Sequence, residues 1–82
     1  MTREEIYAAL SKTLSEELEI DAAKISMQAH FKDDLDADSL HLVELAMELE
    51  DSYGISVPDE VALRLTTVGS VVDYLADRLS AA

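Results

Sequence analysis

A serine takes part in chemistry either because a neighbouring base activates it or because another enzyme modifies it. Ser39 suits only the second. It lies in the stretch DDLDADSLHLVELAMELED, residues 33–51, where an acidic run passes into a helix-forming run. His41 is two positions on, about 200° round a helix, and so points away from the hydroxyl. Asp38 is better used as the helix N-cap, because its carboxylate accepts from the free N–H groups of the first turn. A phosphate carried at this junction would meet those N–H groups and the positive end of the helix dipole. Serine is also an ordinary residue at a helix start, so a purely structural Ser39 remains open at this point.

Little else offers chemistry. The chain has no cysteine, hence no disulfide, no thiolate metal site and no thiol of its own. His30 has no partner residues for a metal site and reads as a surface loop residue. Asp33, Asp34, Asp36 and Asp38 could attract a divalent cation, but the EF-hand glycine and glutamate are missing, and no metal ligand is assigned.

The elements that must hold Ser39 follow from periodicity. From Ser39 to Tyr53 no Gly or Pro intervenes, and Gly54 can end the helix in a left-handed conformation. Leu42, Leu45, Ala46, Leu49 and Tyr53 fall within an arc of about 100°, one core stripe. Leu40, Val43 and Met47 form a second stripe, flanked by Glu44, Glu50 and Asp51. It either widens the core or stays exposed as an apolar strip edged with acid, a docking surface for a basic partner.

The first helix spans about Thr2 to Leu18, with a Thr2–Glu5 capping box, a stripe of Ile6, Leu10, Leu14 and Leu18, and an exposed Lys12–Glu16 pair. A long loop follows to Ala37, with a short helical turn near Asp21–Ile25. Ile20, Ile25, Met27, Phe31 and Leu35 pin it across the core. Asp59 caps a short helix from Glu60 to about Arg64. Thr66 or Thr67 caps the last helix, whose core face is Val68, Val71, Val72, Leu75 and Leu79. The fold class is all-α: a small bundle of three main helices plus one short helix, with a long loop between helices one and two.

Net charge is −12, and no Lys or Arg interrupts the ten acids between Lys32 and Arg64. Nucleic acid and anionic membrane surfaces are poor partners for such a field, and basic protein patches are good ones. No apolar run is long enough to span a membrane, and residues 1–10 lack a secretory apolar region. The expectation is a cytoplasmic monomer of one domain, residues 1–82. Disorder is excluded by 49% apolar residues in periodic order.

Asp38-Ser39-Leu40, preceded by Asp33-Asp34-Leu35 and followed by Val43-Glu44-Leu45, resembles the modification site of acyl carrier proteins, most nearly those of bacterial type II fatty acid synthesis. Val57-Pro58-Asp59-Glu60 and Thr66-Thr67-Val68 match as well, so the resemblance covers nearly the whole chain. Asp36 stands where that family usually has Gly, and His41 where it usually has Asp. The resemblance implies a carrier, not an enzyme. Ser39 would receive 4′-phosphopantetheine from coenzyme A through a phosphopantetheinyl transferase, with Asp38 as part of the motif. Acyl groups would be held as thioesters and presented to acyl-handling enzymes with basic docking patches. Leu40, Val43, Glu44, Met47 and Glu50 would form the docking surface. Leu45, Leu49, Val57, Ala62 and Leu65, simply core by their pattern, would line the acyl chain between helix two and the short helix. Alternatives are a carrier of polyketide, aminoacyl or D-alanyl cargo, or an acidic adaptor or cation-binding module in which Ser39 only caps.

The two stripes of the second helix lead to opposite expectations. Leu49→Ala is expected to destabilise by about 2–5 kcal/mol. Met47→Ala is expected to stay within about 1 kcal/mol if its stripe is exposed. Thermal melts of the two variants measure this directly, and comparable losses would place Met47 in the core.

Overall fold

Among the residues described by the computed structural model, 2–80 with only the backbone of Ser80, four helices form. They are α1 (Arg3–Leu18), α2 (Ser39–Tyr53), α3 (Asp59–Ala62) and α4 (Val68–Ser80). The start of α1 is set by the Thr2–Glu5 box: Thr2 Oγ1 accepts the Glu5 N–H at 3.1 Å, and Glu5 Oε1 accepts the Thr2 N–H at 2.9 Å. Ile6, Leu10 and Leu14 are buried and Leu18 partly so, in a core completed by Val68, Val71, Val72 and Leu75 of α4. The expected Lys12–Glu16 pair does not form; the Lys/Arg ion pair among the described residues is Arg3–Asp73, at 2.7 Å and well exposed. Two long solvated side chains gain too little from an exposed contact to offset their lost rotamer freedom.

The segment between α1 and α2 is irregular but well anchored. A 3-10 turn at Ala22–Lys24 begins where Asp21 Oδ1 accepts the Ala23 N–H at 3.0 Å. Beyond it, Ile25, Phe31 and Leu35 are buried, joined by Ala29 and Ala37, while Ile20 and Met27 are partly buried. The backbone is tied to the start of α4. Gly69 N–H donates to Met27 O (2.8 Å), Val68 N–H to Ala29 O (3.0 Å) and Phe31 N–H to Thr66 O (3.0 Å), with an isolated antiparallel bridge at His30–Thr67. These bonds satisfy buried polar groups that a helix or sheet would otherwise satisfy. Asp36 adopts a left-handed φ of 58°, a conformation that Asp tolerates better than most residues.

α2 ends at Gly54, whose φ of 65° closes the helix as its N–H donates to Glu50 O. α3 is earlier and shorter than its sequence pattern implies. Asp59 is the first helical residue, not the cap, because the Pro58 carbonyl accepts the Val61 and Ala62 N–H groups, both at 2.9 Å. Proline's fixed φ suits that boundary position. The α4 start is a second reciprocal box: Ser70 N–H donates to Thr67 Oγ1, and Thr67 N–H to Ser70 Oγ, each at 3.1 Å. Of the two candidate caps, Thr67 is the one used.

Gly69 is required by contact, not by φ. A Cβ there would lie 2.9 Å from the Met27 carbonyl oxygen, a backbone atom that cannot rotate aside. Gly69→Ala is therefore expected to destabilise by about 1–3 kcal/mol, as overpacking does, despite the higher helix propensity of Ala. A melt no lower than wild type would show that the loop yields freely at this crossing.

Candidate functional site

The junction before α2 is built from a reciprocal cap. Asp38 Oδ1 accepts the His41 N–H at 3.0 Å, and the Asp38 N–H donates to His41 Nδ1 at 3.2 Å. His41 thus occupies the third helical position, where a capping box normally has Glu or Gln. His41 Nδ1 also lies 3.1 Å from Asp38 Oδ1, so the two side chains pack against each other across the first turn. The Asp38 carboxyl is held below its ordinary value of 3.8, chiefly by the hydrogen bond from the His41 N–H. Between these two residues Ser39 is exposed in the first turn, and its hydroxyl is not used by the cap. An open bay beside it is lined by Lys32, Asp36, Ala37, Asp38 and Ser39. The serine is accessible to a modifying enzyme, and Lys32 offers a cation beside it. A phosphodiester fits that setting.

The two stripes of α2 separate cleanly. Leu42, Leu45, Ala46 and Leu49 are buried. Leu40 is 64% exposed and Met47 59% exposed, with Val43 half-buried between them and Glu44 exposed at their edge. The second stripe does not widen the core. Glu50 is employed differently: half-buried, it accepts the Val57 N–H through Oε2 at 2.9 Å and so fastens the α2–α3 connection.

Leu45, Leu49, Val57, Ala62 and Leu65 come together around one apolar slot between α2 and α3, joined by Leu42, Ala46 and Val71. The slot is nearly filled, with about 10 Å³ free. Three contributors were not evident in the sequence. Lys32 looked only like the last base before an acidic run. Leu63, 48% exposed, lies just beyond the shortened α3. His41 departs from the usual capping-box residue, although its spacing of three from Asp38 was a readable signal.

A second acidic contact lies between helices. The Glu48 carboxyl of α2 is pushed above its ordinary value of 4.5 by a hydrogen bond with Glu17 of α1, then by partial burial and by the charges of Glu17 and Glu16. Among the described residues, no group of three His, Asp or Glu side chains is arranged to hold a metal ion, and no helix is long and apolar enough to cross a membrane.

Residues 8–75 match the phosphopantetheine attachment site family. The chain is 43% identical to the acyl carrier protein of Rubrobacter xylanophilus over 99% of its own length and all of that protein. It is 47% identical to the acyl carrier protein of Lactobacillus johnsonii over 92% of this chain and 94% of that one. The solved structure of the acyl carrier protein from Enterococcus faecalis superposes with a TM-score of 0.78 at 42% identity, covering 94% of this chain and 98% of that one. The chain belongs to the acyl carrier protein family, which carries phosphopantetheine and is not enzymatic.

The two displaced carboxyls give opposite pH dependences. Asp38, with a lowered folded pKa, contributes stability that is present above 3.8 and is lost as pH falls through its folded value. Glu48, with a raised one, favours folding when protonated and loses that contribution as pH rises through its folded value. Melts from pH 7 to pH 3 are expected to show Asp38→Ala below wild type at neutral pH, the gap narrowing in acid. Glu48→Gln is expected to lie above wild type at neutral pH, its advantage vanishing below 4.5. Parallel curves for all three proteins would contradict both assignments.

Proposed function

We propose that Ser39 accepts 4′-phosphopantetheine from coenzyme A through a separate phosphopantetheinyl transferase, and that residues 1–82 act as a single carrier domain for acyl groups in fatty acid synthesis. The observation that carries this reading is the exposed hydroxyl of Ser39 in the first turn of a capped helix, within the span matched by the attachment-site family. The prosthetic group supplies a flexible arm ending in a thiol, which can hold an acyl group as a thioester; the cysteine-free chain has no thiol of its own. Asp38 fixes the junction by capping α2 and leaves the Ser39 hydroxyl to the incoming phosphate. The free N–H groups of the first turn favour an anion there. Lys32, at the edge of the same bay, offsets part of the acidic surroundings.

The exposed strip of Leu40, Val43 and Met47, with Glu44 beside it, is the surface that docks the transferase and the acyl-handling enzymes. Its apolar centre and acidic edge suit partners with basic patches. Glu50 borders this surface, but its bond to Val57 makes it principally a brace. A net charge of −12 disfavours nucleic acid as a partner. The same reading takes the chain as a cytoplasmic monomer. The slot of Leu45, Leu49, Val57, Ala62 and Leu65 shelters the carried chain, which replaces core contacts with its own methylenes.

Incubation with a phosphopantetheinyl transferase and coenzyme A, followed by intact mass and peptide mapping, tests the assignment. The mass increase is expected on the peptide containing Ser39. Ser39→Ala is expected to fold, at a loss of about 0.5 kcal/mol because Asp38 remains as the cap, and to stay unmodified. Modification mapped to Ser11, Ser26 or Ser52 would end the assignment.

A further inference from the structure

Leu42 borders three separate crevices. The first lies between α1 and the start of α2, against Leu14, Leu18 and Phe31, and is rimmed by Glu17, His41 and Glu44. The second is the α2–α3 slot, whose lining is entirely apolar. The third is a bay of about 160 Å³, lined also by His30, Phe31, Lys32, Asp33, Leu63 and Thr66. Lys32 borders both this bay and the open bay at Ser39. Lys32 thus stands between the bay at the serine and the bay at Leu42, and Leu42 in turn also borders the nearly filled slot.

Burial decides which side chain controls passage. Leu42 is 6% exposed, with the bay on one side and the slot on another. Side chains hop between discrete rotamer wells, so a change of well at Leu42 would alter how far it intrudes on the slot. Leu63 presents a half-exposed apolar wall to the bay, which an alkyl chain lying there would cover. An apolar chain advancing from the bay has two ways past Leu42. The crevice toward α1 carries two carboxylates and an imidazole at its rim, whereas the slot offers only hydrocarbon, so transfer out of water favours the slot.

We propose that Leu42 is a gate between the bay and the slot, and that its bulk determines which acyl chains carried on Ser39 are sheltered in the slot rather than left in the bay. This rests on Ser39 as the attachment residue, so the test reads attachment first. Wild type, Leu42→Val and Leu42→Phe are each loaded with an acetyl or an octanoyl group, and loading on Ser39 is verified by intact mass and peptide mapping. Two quantities are then measured: the octanoyl-to-acetyl ratio of thioester cleavage rates by hydroxylamine, and the amide NMR shifts of each loaded protein. Taking the ratio within each variant removes differences in overall stability.

In wild type, octanoyl is expected to be cleaved several-fold more slowly than acetyl, with shifts at Val57 and Ala62. Leu42→Val is expected to deepen this protection several-fold. Leu42→Phe is expected to bring the ratio close to one and to confine the shifts to Leu63 and Thr66. Should Leu42→Phe not fold, Leu42→Val against wild type carries the test. Equal ratios and equal slot shifts across the folded proteins would overturn the gate, as would an octanoyl chain that leaves the wild-type slot unshifted. Failure to load Ser39 in wild type would instead overturn the attachment assignment, before any cleavage rate is read.

Discussion

α2 can bury only one of its two apolar stripes, and the choice sets the rotation of the helix. Burial of Leu42, Leu45, Ala46 and Leu49 removes four side chains from water along one face. At roughly 25 cal/mol per Å² of apolar surface, that burial far outweighs any single polar contact in a domain of this size. Leu40 and Met47 are then left outside by geometry, because residues on the opposite arc of a helix cannot reach the same neighbour. The same rotation exposes Ser39 at the helix start. Exposed apolar strip, exposed serine and apolar slot are thus three consequences of one packing decision.

Electrostatics works against that packing. Ten acids with no intervening Lys or Arg lie in and around α2, and in Glu48 and Glu17 two carboxyls meet across the helix interface. Charges of one sign destabilise a compact state while steering oppositely charged partners toward it. The chain limits the penalty by giving some carboxylates backbone work. Asp38 caps α2, Glu50 holds the Val57 N–H and Asp34 accepts the His30 N–H at 2.7 Å. An acid so engaged stabilises local structure whatever its effect on the long-range field.

The segment between α1 and α2 shows how an irregular chain can serve as a core element. Its length would be unusual for a structureless loop in a compact domain. Ile25, Ala29, Phe31, Leu35 and Ala37 bury it from one side, and the backbone bonds to Thr66, Val68 and Gly69 fasten it from the other. Those bonds connect residues close to forty positions apart, and no local pattern announces them. Gly69 is their clearest trace, since its missing side chain is where the Met27 carbonyl rests. Asp36 leaves a fainter one: it stands where the resembled family usually has Gly, and its left-handed φ is one that Asp tolerates better than most residues.

What the sequence determined by itself was everything governed by local periodicity and capping. The spans of α1 and α2, the Thr2 and Asp38 caps, the Gly54 stop and the buried stripe of α2 all depend on residues within a few positions of one another, where helix geometry converts spacing into direction. Leu45, Leu49, Val57, Ala62 and Leu65 were legible by pattern only as core, and their grouping around one slot came from the family resemblance. Tertiary structure decided the rest. It showed that the second stripe of α2 stays exposed, drew Glu50 from the rim to the Val57 amide, moved the start of α3 onto the Pro58 carbonyl, and set Leu42 between the bay and the slot. In each case the deciding partner is distant in sequence or competes with an equally good local one. Periodicity gives a side chain its direction, but only the packed neighbours decide what it meets there.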